Sequence, residues 1–253
     1  MQNTKRDNTI LRSAEILRCI SSGAERIIDI ADRSDLSMST VHRLLTSLKQ
    51  ATFVQQDAVS KRYYLGSFIH SLISNPIILH KALIISSHNE MEHLTKKTRE
   101  TVTLTIPVGI NRICLEVVES PEALRSSVTQ GSTLPLYAGA AGKVLMSEMN
   151  DKYLEMIFQR ISFTQFQKNT ITNKESLLEN LRSIREQGYA TSNSEIIAGS
   201  ASISVPIKNY ICPVALSVMG PENRLGPKMI NFVNTLQSGA NKISQNLAKV
   251  RTL

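Results

Sequence analysis

The segment from Ile27 to Lys49 constrains the fold of this chain most strongly, because it holds two short helical patterns separated by a break at residues 34–37. In the second pattern the apolar residues keep the i, i+3, i+4 and i+7 spacing of one helix face, at Val41, Leu44, Leu45 and Leu48. Ser37 precedes this helix and is a candidate N-cap. Two helices joined by a turn of about four residues predict a helix-turn-helix, whose second helix enters the major groove of DNA.

The face opposite that apolar stripe carries hydrogen-bonding groups, one fixed positive charge and no carboxylate. Its members are Ser39, Arg43, Thr46 and Gln50, with Thr40, His42 and Ser47 on the flanks. We predict that the first three of these residues face the groove and that Thr40 and His42 lie nearer the phosphates. The alternative is an ordinary amphipathic surface helix, which residues 38–50 alone do not exclude.

The elements around this pair favour a winged helix. A further helical pattern precedes it, and two short strand-prone runs follow it, Phe53 to Gln56 and Arg62 to Leu65. Three helices followed by a hairpin is the order of elements in a winged helix-turn-helix. The basic tip of the hairpin, Lys61 and Arg62, is then predicted to lie near backbone phosphates.

Composition is consistent with a polyanionic partner but does not locate the site that binds it. The net charge of +8 suits phosphate contacts, yet the excess of Lys and Arg is spread along the whole chain of 253 residues. A hydrophobic content of 42% is ample for packed cores, and no apolar run reaches the roughly 20 residues that span a membrane. The N-terminus, Met1 to Arg6, lacks the apolar core of a signal peptide. We therefore expect a cytoplasmic protein without a membrane partner.

The chain beyond Gly66 predicts a linker helix and then a second domain of α+β class. A helical run from Ser67 to Ser74 stops at Asn75-Pro76, and a longer one extends from Ile77 to about Arg99. Strands are expected at Thr101 to Ile106, Ile113 to Val118, around Leu124 to Val128, Ala201 to Ile207 and Val214 to Met219. Helices are expected at Asp151 to Arg160, Lys174 to Gln187 (with Gly188 as its C-cap) and Lys228 to Val250. This order favours an antiparallel sheet, with domains at residues 1–66, 67–80 (the linker) and 81–253.

The region from Leu94 to Leu253 contains no histidine, which excludes a hydrolytic Ser-His-Asp or Cys-His arrangement and a zinc ion held by His ligands there. His88, Glu92 and His93 are close in sequence, but a metal site there needs a further ligand, so solvated side chains are the preferred interpretation. Cys19, Cys114 and Cys212 have no paired spacing and are expected to be free thiols. We predict no catalytic residue, no metal and no cofactor.

A segment rich in Gly and Ala, residues 137–143, precedes a predicted helix. It is not a phosphate-binding loop of the Walker type. That motif requires Gly at position 137 and Ser or Thr at position 144, where this chain has Tyr137 and Val144. Two interpretations remain. The backbone N–H groups at the start of the helix bind a carboxylate or another anion, or the small residues let the loop pack tightly against the sheet.

Several short motifs in this order resemble the IclR family of bacterial transcriptional regulators over residues 9–248. They are Ser39 to Leu45, Tyr64-Leu65-Gly66, Gly142-Lys143, Gly188-Tyr189-Ala190, and Glu195 with Gly199, Ile203, Val205 and Pro206. The resemblance implies an N-terminal winged helix, a linker helix and a C-terminal effector domain with a GAF/PAS-like antiparallel sheet. It also implies homodimers or tetramers on palindromic double-stranded operator DNA.

The resemblance also implies an effector pocket. Some relatives bind small organic acids, and the pocket positions of those relatives correspond here to Gly139, Ala140, Ser192, Ser202, Ser217 and Met219. Serines at 192 and 202 stand where such relatives often carry Asp and Cys, and Tyr137 and Gly139 replace a common His and Thr. Met219 adds apolar bulk, which argues against glyoxylate or pyruvate as the ligand.

In the DNA-binding half, Asp35 and Thr52 occupy positions where the family usually has glycine. Thr tolerates a left-handed backbone poorly, so the helix at 38–50 is expected to end differently.

The leading hypothesis is a DNA-binding transcriptional regulator whose second domain responds to a small-molecule effector, an organic or sugar acid. Two alternatives stay open. One is a sensor or enzyme whose N-terminal segment mediates protein contacts, and the other is a regulator with a vestigial pocket.

Overall fold

The computed structural model describes residues 9–251, so the predicted polar segment Met1 to Arg6 lies outside the described residues. The chain divides into two compact units between Leu79 and His80. Within residues 9–251 no helix is both long and apolar enough to cross a membrane.

The first unit is a winged helix-turn-helix, as predicted. Its elements are α1 (Thr9–Ser21), α2 (Ile27–Ser34), α3 (Met38–Gln50) and an antiparallel hairpin of β1 (Val54–Gln56) and β2 (Tyr63–Leu65). The apolar stripe of α3 is buried in one core with Ile16 and Ile30 from the other two helices. Ser37 caps α3 by accepting a hydrogen bond from the Thr40 N–H at 3.4 Å, which confirms the predicted cap.

Both positions at which the chain departs from glycine have a left-handed backbone. Asp35 has φ 52° and Thr52 has φ 56°. The helix α3 ends at Gln50, and Thr52 itself takes the conformation that a glycine would take more easily. Surrounding contacts hold it there, because the Thr52 carbonyl accepts a hydrogen bond from the Phe68 N–H at 3.2 Å.

The predicted break in the linker segment is confirmed. After the hairpin the chain forms α4 (Ser67–Ile73), stops at Asn75, and restarts as α5 (Pro76–Leu79). The Asn75 side chain accepts a hydrogen bond from the Ile77 N–H at 3.1 Å, which caps the new turn.

The second unit is an antiparallel sheet between two layers of helices. It opens with α6 (Lys81–Thr98) and continues with β3 (Thr101–Val108), β4 (Asn111–Val118), β5 (Thr133–Pro135), α7 (Ala140–Ser147) and α8 (Asp151–Phe158). Then follow α9 (Lys174–Gln187), β6 (Ala190–Asn193), β7 (Ser200–Ile207), β8 (Val214–Pro221), α10 (Glu222–Leu225) and α11 (Met229–Arg251). The six strands lie in the order β5-β4-β3-β8-β7-β6. Helices α6 and α11 contact one face of this sheet, and α7, backed by α9, contacts the other.

The expected strand around Leu124 to Val128 is wrong. This segment is irregular, and side chains rather than a neighbouring strand bind part of its backbone. The Thr101 hydroxyl donates to the Ser126 carbonyl at 2.8 Å, and the Arg224 guanidinium donates to the Leu124 carbonyl at 2.9 Å. The strand beside β4 is β5 instead. The short strand β6 was not predicted, because four residues are too few to show an alternating pattern.

The α+β class, the antiparallel sheet and the Gly188 C-cap are confirmed. All three cysteines are free, with Cys19 and Cys114 buried.

Candidate DNA-reading face and effector cavity

The polar ridge of α3 is exposed as the sequence predicted. Ser39, His42, Arg43 and Thr46 are exposed, and Thr40 is half-buried, with its hydroxyl 2.9 Å from that of Ser37. The ridge therefore presents its donors and acceptors away from the core of the first unit.

Within the ridge, local hydrogen bonds engage the Thr46 hydroxyl but not the Arg43 guanidinium. The Thr46 hydroxyl donates to the His42 carbonyl at 3.0 Å, so it is held against the helix. Among the described residues nothing hydrogen-bonds or pairs with the Arg43 guanidinium, which keeps all of its N–H donors available for an external acceptor.

The two basic residues at the hairpin tip differ. Lys61 is exposed, with φ 57°, and its carbonyl accepts a hydrogen bond from the Gln56 amide at 3.0 Å. Arg62 instead pairs with Glu25 at 2.8 Å. The tip is shaped by Asp57, whose carboxylate accepts from the Ser60 N–H at 2.6 Å, a contact that lowers the pKa of Asp57. Lys61 is thus the freer of the two cations.

In the second unit a cavity of about 470 Å³, counted out to its open mouth, lies between the sheet and α7. Four of the six residues predicted for an effector pocket line it: Ala140, Ser202, Ser217 and Met219. Strand register explains why they meet. Ser202 pairs with Met219 across β7 and β8, and the alternation along β8 places Ser217 on the same face.

The other two predicted residues, Gly139 and Ser192, are not among the residues that line the cavity. Ser192 is buried in β6, in register with Ser202. The Gly139 N–H donates to the Glu195 carboxylate at 2.9 Å, so the chain itself supplies an acceptor for this amide at the start of α7. The role predicted for Gly139 in binding an external anion therefore has no support from its contacts.

A buried ion pair joins two of the motifs singled out in the sequence. Lys143 Nζ lies 2.5 Å from a Glu195 carboxylate oxygen, and the two side chains are 4% and 7% exposed. Lys143 also donates to the Thr191 carbonyl at 3.0 Å, and the Thr170 hydroxyl to the Glu195 carbonyl at 2.5 Å. These contacts attach the segment that follows β6 to the first turn of α7.

Sequence reasoning missed most of the polar lining of the cavity. The missed polar residues are Thr103, Thr105, Arg112, Cys114, Ser132 and Ser204. The sequence contained one signal of this polar lining, an alternation of threonines with apolar residues along β3. It joins Thr101, Thr103 and Thr105 with Val102, Leu104 and Ile106. All six are buried, so the threonine face of β3 points at an enclosed space rather than at bulk solvent.

Among the lining residues Arg112 carries the charge. Burial lowers the pKa of its guanidinium to about 10, so it is still protonated at neutral pH. Burial also raises the pKa of the Cys114 thiol to about 12, so this side chain is neutral and unreactive there. The cavity therefore holds one positive charge and several hydroxyls within a largely apolar lining.

Comparison with known proteins agrees with this arrangement. Residues 9–58 match the family model "IclR helix-turn-helix domain", and residues 77–245 match "Bacterial transcriptional regulator IclR C-terminal". The chain is 30% identical over 246 residues to the HTH-type transcriptional regulator KdgR of Escherichia coli K12, covering 95% of this chain and 92% of KdgR. It is also 30% identical over 208 residues to the HTH-type transcriptional repressor AllR of the same strain, covering 81% of this chain and 76% of AllR.

Solved structures show the same fold. The IclR structure of Thermotoga maritima aligns with a TM-score of 0.63 at 26% identity, over 95% of this chain and 98% of that one. An IclR homologue from Microbacterium hydrocarbonoxydans complexed with 4-hydroxybenzoate aligns with a TM-score of 0.61 at 22% identity, over 96% and 100%. This chain belongs to the IclR family of bacterial transcriptional regulators.

Proposed function

We propose that this regulator binds a palindromic operator through α3. When a small organic or sugar acid enters the cavity of the second unit, the regulator leaves the operator or changes its conformation there. The observation that carries the proposal is the pairing of two unlike sites in one chain. One unit presents an exposed ridge with a fixed positive charge and no carboxylate, and the other holds a cavity lined by apolar side chains, hydroxyls and one guanidinium.

In this proposal each side chain of the DNA-reading face has a role. Ser39, Arg43 and Thr46 read base edges, and Arg43 suits a guanine because its guanidinium can donate two parallel hydrogen bonds. Thr40, His42 and Lys61 contact phosphates, and Arg62 does so only after giving up its pairing with Glu25. One recognition helix covers a half-site, so two copies of the chain are needed for a palindrome, as a homodimer or within a tetramer.

We further propose that Ala140, Ser202, Ser217 and Met219 contact the effector. The domain limits follow the same division, with DNA binding in residues 1–66, the linker in 67–80 and effector binding in 81–253. The protein is proposed to act in the cytoplasm without catalysis or a cofactor, and as a repressor, the activity for which AllR is named.

The test uses the full chain and fragments of the host genome selected for binding. We expect enriched fragments to share an inverted repeat with half-sites about one helical turn, or a multiple of it, apart. Affinity should fall steeply between low and physiological salt, by about a thousandfold or more if six or more phosphates are contacted. Failure to enrich any sequence, or binding that ignores salt, would reject the DNA-binding proposal.

A further inference from the structure

The side-chain amide of Gln56 joins the helix α3 to the tip of the hairpin. Gln56 is the last residue of β1 and is half-buried. Its Oε1 accepts a hydrogen bond from Lys49 Nζ at 2.9 Å, and its Nε2 donates to the Lys61 carbonyl at 3.0 Å. Lys49 belongs to the last turn of α3. One side chain therefore joins two segments of the first unit that each carry an exposed lysine.

These two partners fix the orientation of the amide. An ammonium group can only donate and a carbonyl can only accept, so the oxygen of Gln56 faces Lys49 and its nitrogen faces Lys61. Glutamate at this position would lack the donor for the carbonyl, and methionine would lack both groups. Among side chains of this length, glutamine is therefore the one that makes both contacts.

The tip beyond Gln56 is a closed turn whose backbone is bound internally. The Asp57 carboxylate accepts from the N–H groups of Val59, at 3.2 Å, and Ser60, at 2.6 Å. The Lys61 N–H donates to the Asp57 carbonyl at 3.1 Å, and Lys61 has φ 57°. A residue other than glycine is strained in this conformation and keeps it only where surrounding contacts determine it. The hydrogen bond from Gln56 to the Lys61 carbonyl is one of these contacts.

Two polar side-chain contacts attach the tip to the helical part of the first unit, within the residues that the structure describes. One is the bridge from Gln56 to Lys49, and the other is the ion pair of Arg62 with Glu25. The proposed function requires Arg62 to leave Glu25 before it contacts a phosphate. When Arg62 leaves, Gln56 is the attachment that remains, so the position of the tip relative to α3 then depends on this amide.

Lys49 lies on the side of α3 that also carries His42. The two residues are seven positions apart, and two helical turns bring positions i and i+7 to the same side. Among residues 9–251 the Lys49 ammonium forms no ion pair, and its bond to Gln56 uses one of three N–H donors. The charge of Lys49 and its remaining donors are therefore available for a phosphate oxygen beside His42.

Lys61 supplies a second charge near the first. Its ammonium also forms no ion pair in the described part of the chain, and the one carboxylate of the tip, Asp57, is bound to the tip backbone. Lys49 and Lys61 carry like charges, which repel each other in the free protein. A polyanion bound to both lysines removes that repulsion, so the bridge favours a partner with several phosphates.

We propose that Lys49 and Lys61 bind two phosphates of the operator and that Gln56 positions both lysines for this contact. The inference rests on the proposed DNA-binding function and adds to it one binding residue, Lys49, and one positioning residue, Gln56. The bridge exists before DNA is bound, so α3 and the hairpin tip meet the DNA backbone as one body. Less side-chain entropy is then lost on binding than if Lys49 and the tip moved independently.

The first experiment removes the bridge without removing a charge. Gln56→Met keeps the length of the side chain and loses both hydrogen bonds. In the full chain it should weaken binding to the enriched operator at least about 5-fold. The slope of log affinity against log salt concentration should also become shallower by about 1, because a phosphate contact is lost although the net charge is unchanged. Gln55→Met, at the exposed neighbour in β1, is the matched control and should bind as the parent does.

The second experiment removes each cation. Lys49→Gln and Lys61→Gln should each make the salt slope shallower by about 1 and weaken binding to all operator sequences by a similar factor. Lys97→Gln, at an exposed position of α6, removes the same charge and should change neither quantity. In the double variant Gln56→Met/Lys49→Gln, the loss should be smaller than the product of the two single losses, because Gln56 acts through Lys49. Losses that multiply would overturn the positioning role.

A purely structural bridge is the outcome that these measurements separate. In that case Gln56→Met would lower the melting temperature, while its operator affinity stayed within about twofold of the parent and its salt slope did not change. That result, or unchanged operator binding by Lys49→Gln, rejects this inference alone if the parent chain binds its operator. Absence of operator binding by the parent chain rejects the proposed function.

Discussion

The two sites of this protein are built in opposite ways. The DNA-reading face lies on one helix, where residues 39–46 project their polar side chains from a backbone that needs only local hydrogen bonds and one apolar stripe. The effector cavity takes side chains from five strands and a helix, between Thr103 and Met219. A substitution on the DNA-reading face should change DNA binding without disturbing the fold. A substitution around the effector cavity should often affect both ligand binding and the stability of the fold.

The largest expected effect is on the buried ion pair of the second unit. Lys143→Ala leaves the Glu195 carboxylate buried without a cation and should lower the free energy of unfolding of this unit by about 3 to 5 kcal/mol. Urea unfolding followed by circular dichroism measures the change. A loss below about 1 kcal/mol would show that the second unit tolerates such changes as well as the first.

On the helix, Arg43→Ala should weaken operator binding by about 1 to 3 kcal/mol without a change in melting temperature, because the side chain is exposed and has no partner among residues 9–251. Gel-shift titrations against operators with single base changes distinguish two roles. Base reading predicts a relaxed preference at one position, and phosphate contact predicts uniform weakening. Unchanged affinity, with Arg182→Ala as the control, would remove Arg43 from the interface.

A smaller effect of opposite sign is expected at the turn after α3. Thr52→Gly should stabilise the first unit by about 0.5 to 1 kcal/mol, because the relief of a left-handed β-branched residue exceeds the entropy that glycine loses on folding. Thr52→Ala should stabilise it less. A destabilised glycine variant, measured by thermal unfolding, would mean that the Thr52 side chain makes a contact worth more than the strain.

The smallest effect is expected at the exposed ion pair of the hairpin. Arg62 and Glu25 are 44% and 35% exposed, so solvent screens the pair and Arg62→Ala should leave the stability of the first unit nearly unchanged. Urea unfolding, as for Lys143→Ala, gives a direct comparison of an exposed ion pair and a buried one.

In operator binding, Lys61→Ala should reduce the dependence of affinity on salt concentration, and Arg62→Ala should reduce it less. Equal effects would show that Arg62 leaves Glu25 on DNA.

Much of the fold could be predicted because it depends on short-range patterns. The stripe of α3, its Ser37 cap, the Gly188 cap and the break at Asn75 each depend on residues within one or two turns of the chain. The segment around Leu124 could not be predicted, because strand formation requires a neighbour in register. Its backbone is instead held by Thr101 and Arg224, which are distant in sequence.

By itself, then, the sequence determined the two-domain α+β plan and the polar ridge at Ser39, Arg43 and Thr46, since helix periodicity and capping are local properties. Only the tertiary structure decided the cavity. A threonine face on β3 predicts contact with water, but α7 packs over this face of the sheet and encloses it. The same packing brings Arg112 beside Gly139 and Gly142 at the start of α7, with no carboxylate partner within residues 9–251, because such contacts depend on which elements meet rather than on neighbouring residues.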